Sequence, residues 1–223
     1  MKSKIEHLIC DRSFSYLHPY FYNHPYALRC ELGIGEDAQQ YMENAKHRAT
    51  EIYHILFPRG ADAIIFNYWI IDHSDSGEAE KRRLEEIELE LGDSIHVTLQ
   101  QETNQLRFLL KYQGNYRHHV VRNLPTYDNG DEEAQSKVKR NRIVCYADGT
   151  DFDYTGLIDL QINGNGHEIS FISFENECIL SIYDDRGCDI VFATHEKMAE
   201  FYHRLQPYFL EYDVQEMEKR YNG

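Results

Sequence analysis

The sequence predicts an α+β domain: a mainly antiparallel mixed sheet with packed amphipathic helices. Three observations carry that expectation. Residues Glu36 to Phe57 place Ala38, Tyr41, Met42, Ala45, Ala49, Ile52, Tyr53 and Leu56 at helical spacing, a long amphipathic helix with Pro58 and Gly60 as its stop. Three short strand-like segments, Ile169 to Phe174, Cys178 to Tyr183 and Cys188 to Ala193, follow one another with turn residues between them. Two further helical stretches close the chain. With 223 residues, 42% of them hydrophobic, the chain can bury a sizeable core, and one domain over residues 1–223 is expected.

In chain order, residues 11–26 form an aromatic arm, and Ala27 to Leu32 reads as a short strand broken by Gly33-Ile34-Gly35 before the long helix. Ala61 to Ile71 is apolar and rich in β-formers, a buried strand ending in DHSDSG. Glu78 to Leu91 reads as a surface helix with a narrow seam of Leu84, Ile87 and Leu91 and Gly92 as its cap. Ile95 to Leu99 and Leu106 to Tyr112 alternate as a hairpin. Residues 113–141 have the weakest pattern, with Pro125 and Asp128-Asn129-Gly130, and are expected to be a long polar loop holding one short helix. A strand at Ile143 to Tyr146, a short helix at Tyr154 to Ile162 and the turn NGNG lead to the three C-terminal strands. Thr194 is placed to cap a helix with a stripe of Met198, Phe201, Tyr202 and Leu205, and Pro207 suits the first turn of a last helix through Tyr221.

Charge narrows the function classes. The net charge is −15, and the segment from Asp148 to Glu218 holds sixteen acids against Arg186, Lys197 and Arg204, which places −13 of that charge there. Such a field steers basic partners inward and repels nucleic acid and anionic membrane. Five cysteines, Cys10, Cys30, Cys145, Cys178 and Cys188, show no CxxC spacing, so neither a disulfide framework nor a zinc ribbon is indicated. The start, MKSKIEHLICDRSF, has no continuous apolar stretch, and no run is long enough to span a bilayer; a cytoplasmic protein is expected.

The stretch IYDDRGCDIVF, Ile182 to Phe192, is the densest in charge between apolar flanks. Asp184 and Gly187 suit the first and fourth positions of a type I turn. Cys178, Leu180 and Ile182 on one side and Cys188, Ile190 and Phe192 on the other make an apolar face on both strands of one hairpin. Asp185, Arg186 and Asp189 are not required by the turn. They are either solvated, or paired with one another, or an exposed charged tip used for recognition, and the partner-binding candidates are therefore Asp184, Asp185, Arg186 and Asp189.

This stretch, followed by a helix rich in charged and aromatic residues and by Tyr212-Asp213, resembles the bacterial family of domain of unknown function 3885. A second match is HPYALRCELG, His24 to Gly33, followed by Arg48-Ala49 and Ile55-Leu56-Phe57, so that the resemblance covers most of the chain. It implies a bacterial, cytosolic, single-domain protein, and it carries no activity, substrate or cofactor to transfer.

Other chemistry is weaker. Gly33-Ile34-Gly35-Glu36-Asp37-Ala38 is a G-x-G-x-x-A between a strand and a helix, the arrangement that holds a dinucleotide pyrophosphate, with Gly33 and Gly35 as its candidate residues. Glu36 and Asp37 sit where phosphate charge would go, which favours a plain strand-to-helix turn. YLHPYFYNHPY, Tyr16 to Tyr26, offers five aromatic rings for base stacking, but at net charge −15 an arm pinned to the core by its rings is the better reading. Lys137, Lys139, Arg140 and Arg142 read as a solvated loop face. His24, His118-His119 and His195 lack the spacing of paired metal ligands, and Asp184-Asp185 and Asp151-Asp153 cannot be singled out as acid and base among so many carboxylates. No metal and no cofactor are expected. The function expected is a non-catalytic protein-binding protein, in its most concrete form an immunity or inhibitor protein whose acidic C-terminal half covers a basic toxin. The alternative is a nucleotide-binding protein or enzyme using the Gly33 to Ala38 turn.

Overall fold

The computed structural model describes residues 20–71, 117–124, 138–146, 153–163 and 168–223. The element order is α1 (Tyr20–Asn23), β1 (Ala27–Glu31), α2 (Ala38–Leu56), β2 (Ala63–Ile71), β3 (Arg117–Leu124), β4 (Val138–Tyr146), α3 (Tyr154–Ile162), β5 (Glu168–Ser173), β6 (Cys178–Ile182), β7 (Gly187–Phe192), α4 (His195–Leu205), two 3-10 turns (Gln206–Tyr208 and Glu211–Asp213) and α5 (Val214–Asn222). The strands form one seven-stranded sheet in the order β1-β7-β6-β5-β2-β4-β3, with every neighbouring pair antiparallel. This is the α+β architecture expected.

Local chemistry explains most element ends. Asp37, in extended backbone, accepts a hydrogen bond from Gln40 N at 2.8 Å and so starts α2. Thr194 caps α4 in the same way through Lys197 N, and Asp153 caps α3 through Gly156 N. On one face of the sheet α2 and α4 bury their apolar stripes. Tyr53 packs at 5.1 Å on the Phe171 ring and stacks at 4.4 Å on Tyr154, joining α2 to β5 and α3, while Phe192 of β7 stacks on Phe201 of α4 at 5.5 Å. Leu28, Cys30, Leu180, Ile182, Cys188 and Ile190 fill this layer.

The opposite face of β1, β6 and β7 is buried as well: Ala27, Arg29, Ile179, Ser181, Asp189 and Val191 lie there, each nine-tenths or more covered. Its polar groups are satisfied where they can be, as in the Ser170 to Ser181 hydroxyl hydrogen bond of 3.1 Å. β1 ends the sheet, and its open edge is covered by the C-terminal segment: Leu210 N donates to Arg29 O at 3.2 Å, Cys30 bridges to Phe209, and Arg29 N donates to Met217 Sδ at 3.2 Å.

Two expectations are corrected. Residues 113–141 are not one loop, since 117–124 form β3 and 138–146 form β4, so Lys139, Arg140 and Arg142 belong to a strand. RHHVVRNL has too few alternating apolar residues to announce a strand; its ladder with β4 makes it one. The last helix does not begin at Pro207. Pro207 sits in a 3-10 turn, a second such turn follows, and the helix starts at Val214. Over its described residues the aromatic arm is pinned to the core by its rings as expected, with Tyr20 and Phe21 buried, and Tyr20–Asn23 make one helical turn. The expected helix at Glu78 to Leu91, the hairpin at Ile95 to Tyr112 and most of the NGNG turn lie outside the described residues. Among the described residues no helix is long and apolar enough to cross a membrane.

Candidate functional site

The β6–β7 connection closes on itself. Asp184 Oδ1 accepts from Arg186 N at 2.8 Å, and Asp184 Oδ2 accepts from Arg186 Nε at 2.8 Å and from Nη2 at 2.5 Å. An aspartate accepting from the backbone two residues on is the ordinary device for holding such a turn. The hydrogen bond and charge of Asp184 hold the Arg186 guanidinium firmly protonated, and its charge is spent within the turn. Gly187 is required here, since a Cβ would lie 2.1 Å from Tyr183 Oη and 2.7 Å from Cys30 O. The Tyr183 ring lies across this strand glycine and covers its backbone.

Asp189 does not belong to the exposed tip. It is 2% exposed and pairs with a residue 160 positions away: Arg29 Nε donates to Asp189 Oδ1 at 2.8 Å and Arg29 Nη2 to Oδ2 at 3.1 Å. Phe21 N adds a third donor to Oδ2 at 3.0 Å. The pairing follows from register, because Arg29 and Asp189 face one another across β1 and β7 and point to the same side. Burial works against the Arg29 cation, but the hydrogen bond and charge of Asp189 more than offset it, and the guanidinium is held charged. Around it stand three rings, with centroids 4.9 Å (Phe21), 4.6 Å (Tyr22) and 5.8 Å (Tyr183) from the guanidinium carbon.

Asp213 completes this cluster. Its Oδ2 lies 3.7 Å from Arg29 Nη1, beyond hydrogen-bond reach, and accepts no hydrogen bond although it is buried. Burial raises its carboxyl pKa above the ordinary value, and the Arg29 charge opposes that rise. Beneath the cluster Arg220 lies over the Phe21 ring at 4.3 Å and donates through Nη1 to the carbonyl oxygens of Phe21, His24 and Ala27, tying α5 to α1 and β1. Arg29, Asp189 and Asp213 thus come from three of the sequence segments that carry the family resemblance, and the fold brings them to one point.

The two candidate sites of the sequence are neighbours. Leu32 N donates to Arg186 O at 2.9 Å, which joins the Gly33 turn to the hairpin tip. Burial and the charges of Asp185 and Asp184 raise the phenol pKa of Tyr41, one turn into α2. The geometry does not favour a pyrophosphate at Gly33 and Gly35. β1 is an antiparallel edge strand, Asp37 already caps the helix, and a Cβ on Gly33 would lie 1.9 Å from the Tyr41 ring, so a tyrosine fills the space above that glycine.

Other candidates fall elsewhere. His24 and His195 line one cleft of about 500 Å³ with Tyr22, Tyr26, Glu216 and Arg220, and His195 Nε2 contacts Tyr221 O at 3.0 Å. His118 and His119 are on β3. Among the described residues no group of three or more His, Cys, Asp or Glu side chains is placed to hold a metal. Cys30 and Cys188 face one another across β1 and β7; burial and the hydrogen bond between them raise the Cys188 thiol pKa, so Cys188 is no ready nucleophile. Sequence reasoning missed Arg29, Tyr22, Tyr183 and Asp213 as parts of one cluster. The sequence held no clear signal for it: Arg29 alternates with the apolar Leu28 and Cys30 and so reads as the outward side of a half-buried strand, and only burial of the second face makes it an inward charge.

The sequence model of the family described as Domain of unknown function (DUF3885) matches residues 6–213, and the chain belongs to that family. No curated protein and no solved structure matches the chain.

Proposed function

We propose that this family member is a non-catalytic protein-binding protein that offers an acidic end of its sheet to a basic partner. The observation that carries this reading is the internal neutralisation of Arg186 by Asp184. With that cation spent, Asp185 at the tip and Glu31 and Glu36 at the joined turn present net negative charge, while Ile34 and Tyr183, each 38% exposed, add apolar contact. An acidic rim around exposed apolar residues suits fast, electrostatically steered capture of a protein with a basic surface. Asp184 and Asp185 keep their candidate role under this reading, Arg186 serves the turn and not the partner, and Asp189 acts behind the surface by holding β1 and β7 together.

In its most specific form the protein is a bacterial cytosolic inhibitor that covers the basic active site of a toxin. The test is co-expression with the product of a neighbouring gene for a basic toxin. Co-elution at low salt that is lost as salt is raised, with association slowed by Asp185→Lys, is the expected result. No complex at low salt would overturn the reading.

A further inference from the structure

Tyr22 and Tyr183 differ from most large side chains of this protein in being fixed and exposed at once. The two residues are 58% and 38% exposed. Both lie within 6 Å of the Arg29 guanidinium, which is held by the two hydrogen bonds it donates to Asp189. Tyr183 is further fixed by its seat across Gly187. Tyr212, 87% exposed, precedes Asp213 in the chain. Tyrosines whose inner faces are already ordered lose little side-chain entropy on binding, which is why such rings anchor protein interfaces.

The charge beneath the rings selects the partner group. Arg29 is compensated by Asp189, and Arg220 by Glu216 through a hydrogen bond of 3.1 Å. Asp213 is left over, buried, with an oxygen that accepts no hydrogen bond. The buried part of the cluster thus sets two carboxylates, Asp189 and Asp213, against the single Arg29 cation, an excess of one negative charge where screening is least, while Arg220, Glu216 and the exposed Lys219, 3.9 Å from Glu216, form a second ion group beside it. Aromatic faces alone would also take a nucleobase, but that residual charge and the acidic tip beside it repel phosphate. A planar cation is favoured on both counts: a guanidinium stacks on tyrosine faces and answers the charge.

We infer that the exposed faces of Tyr22 and Tyr183, held over the Arg29–Asp189–Asp213 cluster, form the energetic centre of the partner interface and seat an arginine side chain of the basic partner. This rests on the protein-binding reading above and adds the contact chemistry to it. The experiment titrates the full chain with an N-acetylated, C-amidated tetra-arginine peptide by calorimetry. Four proteins are compared: wild type, Tyr22→Ala, Asp213→Asn, and Glu175→Gln, which removes one exposed acid at the opposite end of the β5–β6–β7 meander. Each variant is first checked for native circular dichroism, and Tyr22→Leu, which keeps apolar bulk without a ring, replaces Tyr22→Ala if that variant does not fold. The expected result is a loss of affinity of about tenfold or more for Tyr22→Ala and Asp213→Asn, against less than about twofold for Glu175→Gln. Equal small losses in all three variants would overturn the inference and leave the acidic-surface reading standing. No binding by the wild type at low salt would overturn both.

Discussion

Two arginine–aspartate pairs meet at one hairpin, and they do different work. Arg186 and Asp184 are two residues apart, with side chains 75% and 25% exposed, and shape a turn that any chain with this local sequence can form. Arg29 and Asp189 are 160 residues apart, with side chains 10% and 2% exposed, and exist as a pair only when β1 lies beside β7. The same two functional groups yield roughly 0–1 kcal/mol when solvated, whereas removing one partner of a buried pair costs about 3–5 kcal/mol because the other charge is stranded. The contrast separates a residue that can serve a surface from one that holds the surface up.

The largest expected effect tests the buried pair. Asp189→Ala should lower unfolding free energy by about 3–5 kcal/mol in urea titration at neutral pH, since Arg29 is left charged among rings and Phe21 N loses its acceptor. Replacing both partners, Arg29→Met with Asp189→Leu, should recover much of that loss. An Asp189→Ala cost no greater than that of Arg186→Ala would erase the distinction.

Next in size is Gly187→Ala, which should cost about 1–3 kcal/mol in the same titration. A Cβ there meets the Tyr183 hydroxyl and the Cys30 carbonyl oxygen. Tyr183 can swing away and the backbone oxygen cannot, so adding Tyr183→Ala should not restore wild-type stability.

A smaller effect concerns pH. Burial raises the Asp213 carboxyl above its ordinary 3.8, so the native state binds that proton more tightly than the unfolded chain does. The resulting stabilisation is complete below 3.8 and is lost as pH rises through the raised native value. Asp213→Asn should therefore gain melting temperature relative to wild type as pH rises from acid toward neutral. A constant difference across that range would show that Asp213 is not strained by its burial.

The smallest effect belongs to the exposed pair. Arg186→Ala should change stability by less than about 1 kcal/mol, and by less again in high salt. Because it removes the cation that neutralises the tip, it should also leave capture of a basic partner intact or tighter, measured as association rate at low salt.

Much of the fold was legible because its causes are local. The α2 stripe, the Thr194 cap and the helix at Tyr154 to Ile162 depend on neighbours within a turn or so, and residues at that spacing meet in any helix. The β6–β7 hairpin was legible for a similar reason, with Asp184 and Gly187 setting its turn. β3 was not, because RHHVVRNL becomes a strand only through its ladder with β4. The site was half legible: IYDDRGCDIVF marked the place, but treating Asp185, Arg186 and Asp189 as one trio joined residues that lie on opposite sides of the boundary between core and solvent.

By itself the sequence determined the class of the fold, the Thr194 cap, the turn at the hairpin and the acidic field of the C-terminal half, all properties of composition or of residues close along the chain. Only the tertiary structure decided that Asp189 belongs to Arg29, that Asp213 arrives as a second acid without a donor of its own, and that Tyr22 and Tyr183 stand exposed over the result. The physical reason is that a buried charge constrains its surroundings to supply an opposite one without specifying which. Strand register made that choice, placing Arg29 directly across from Asp189.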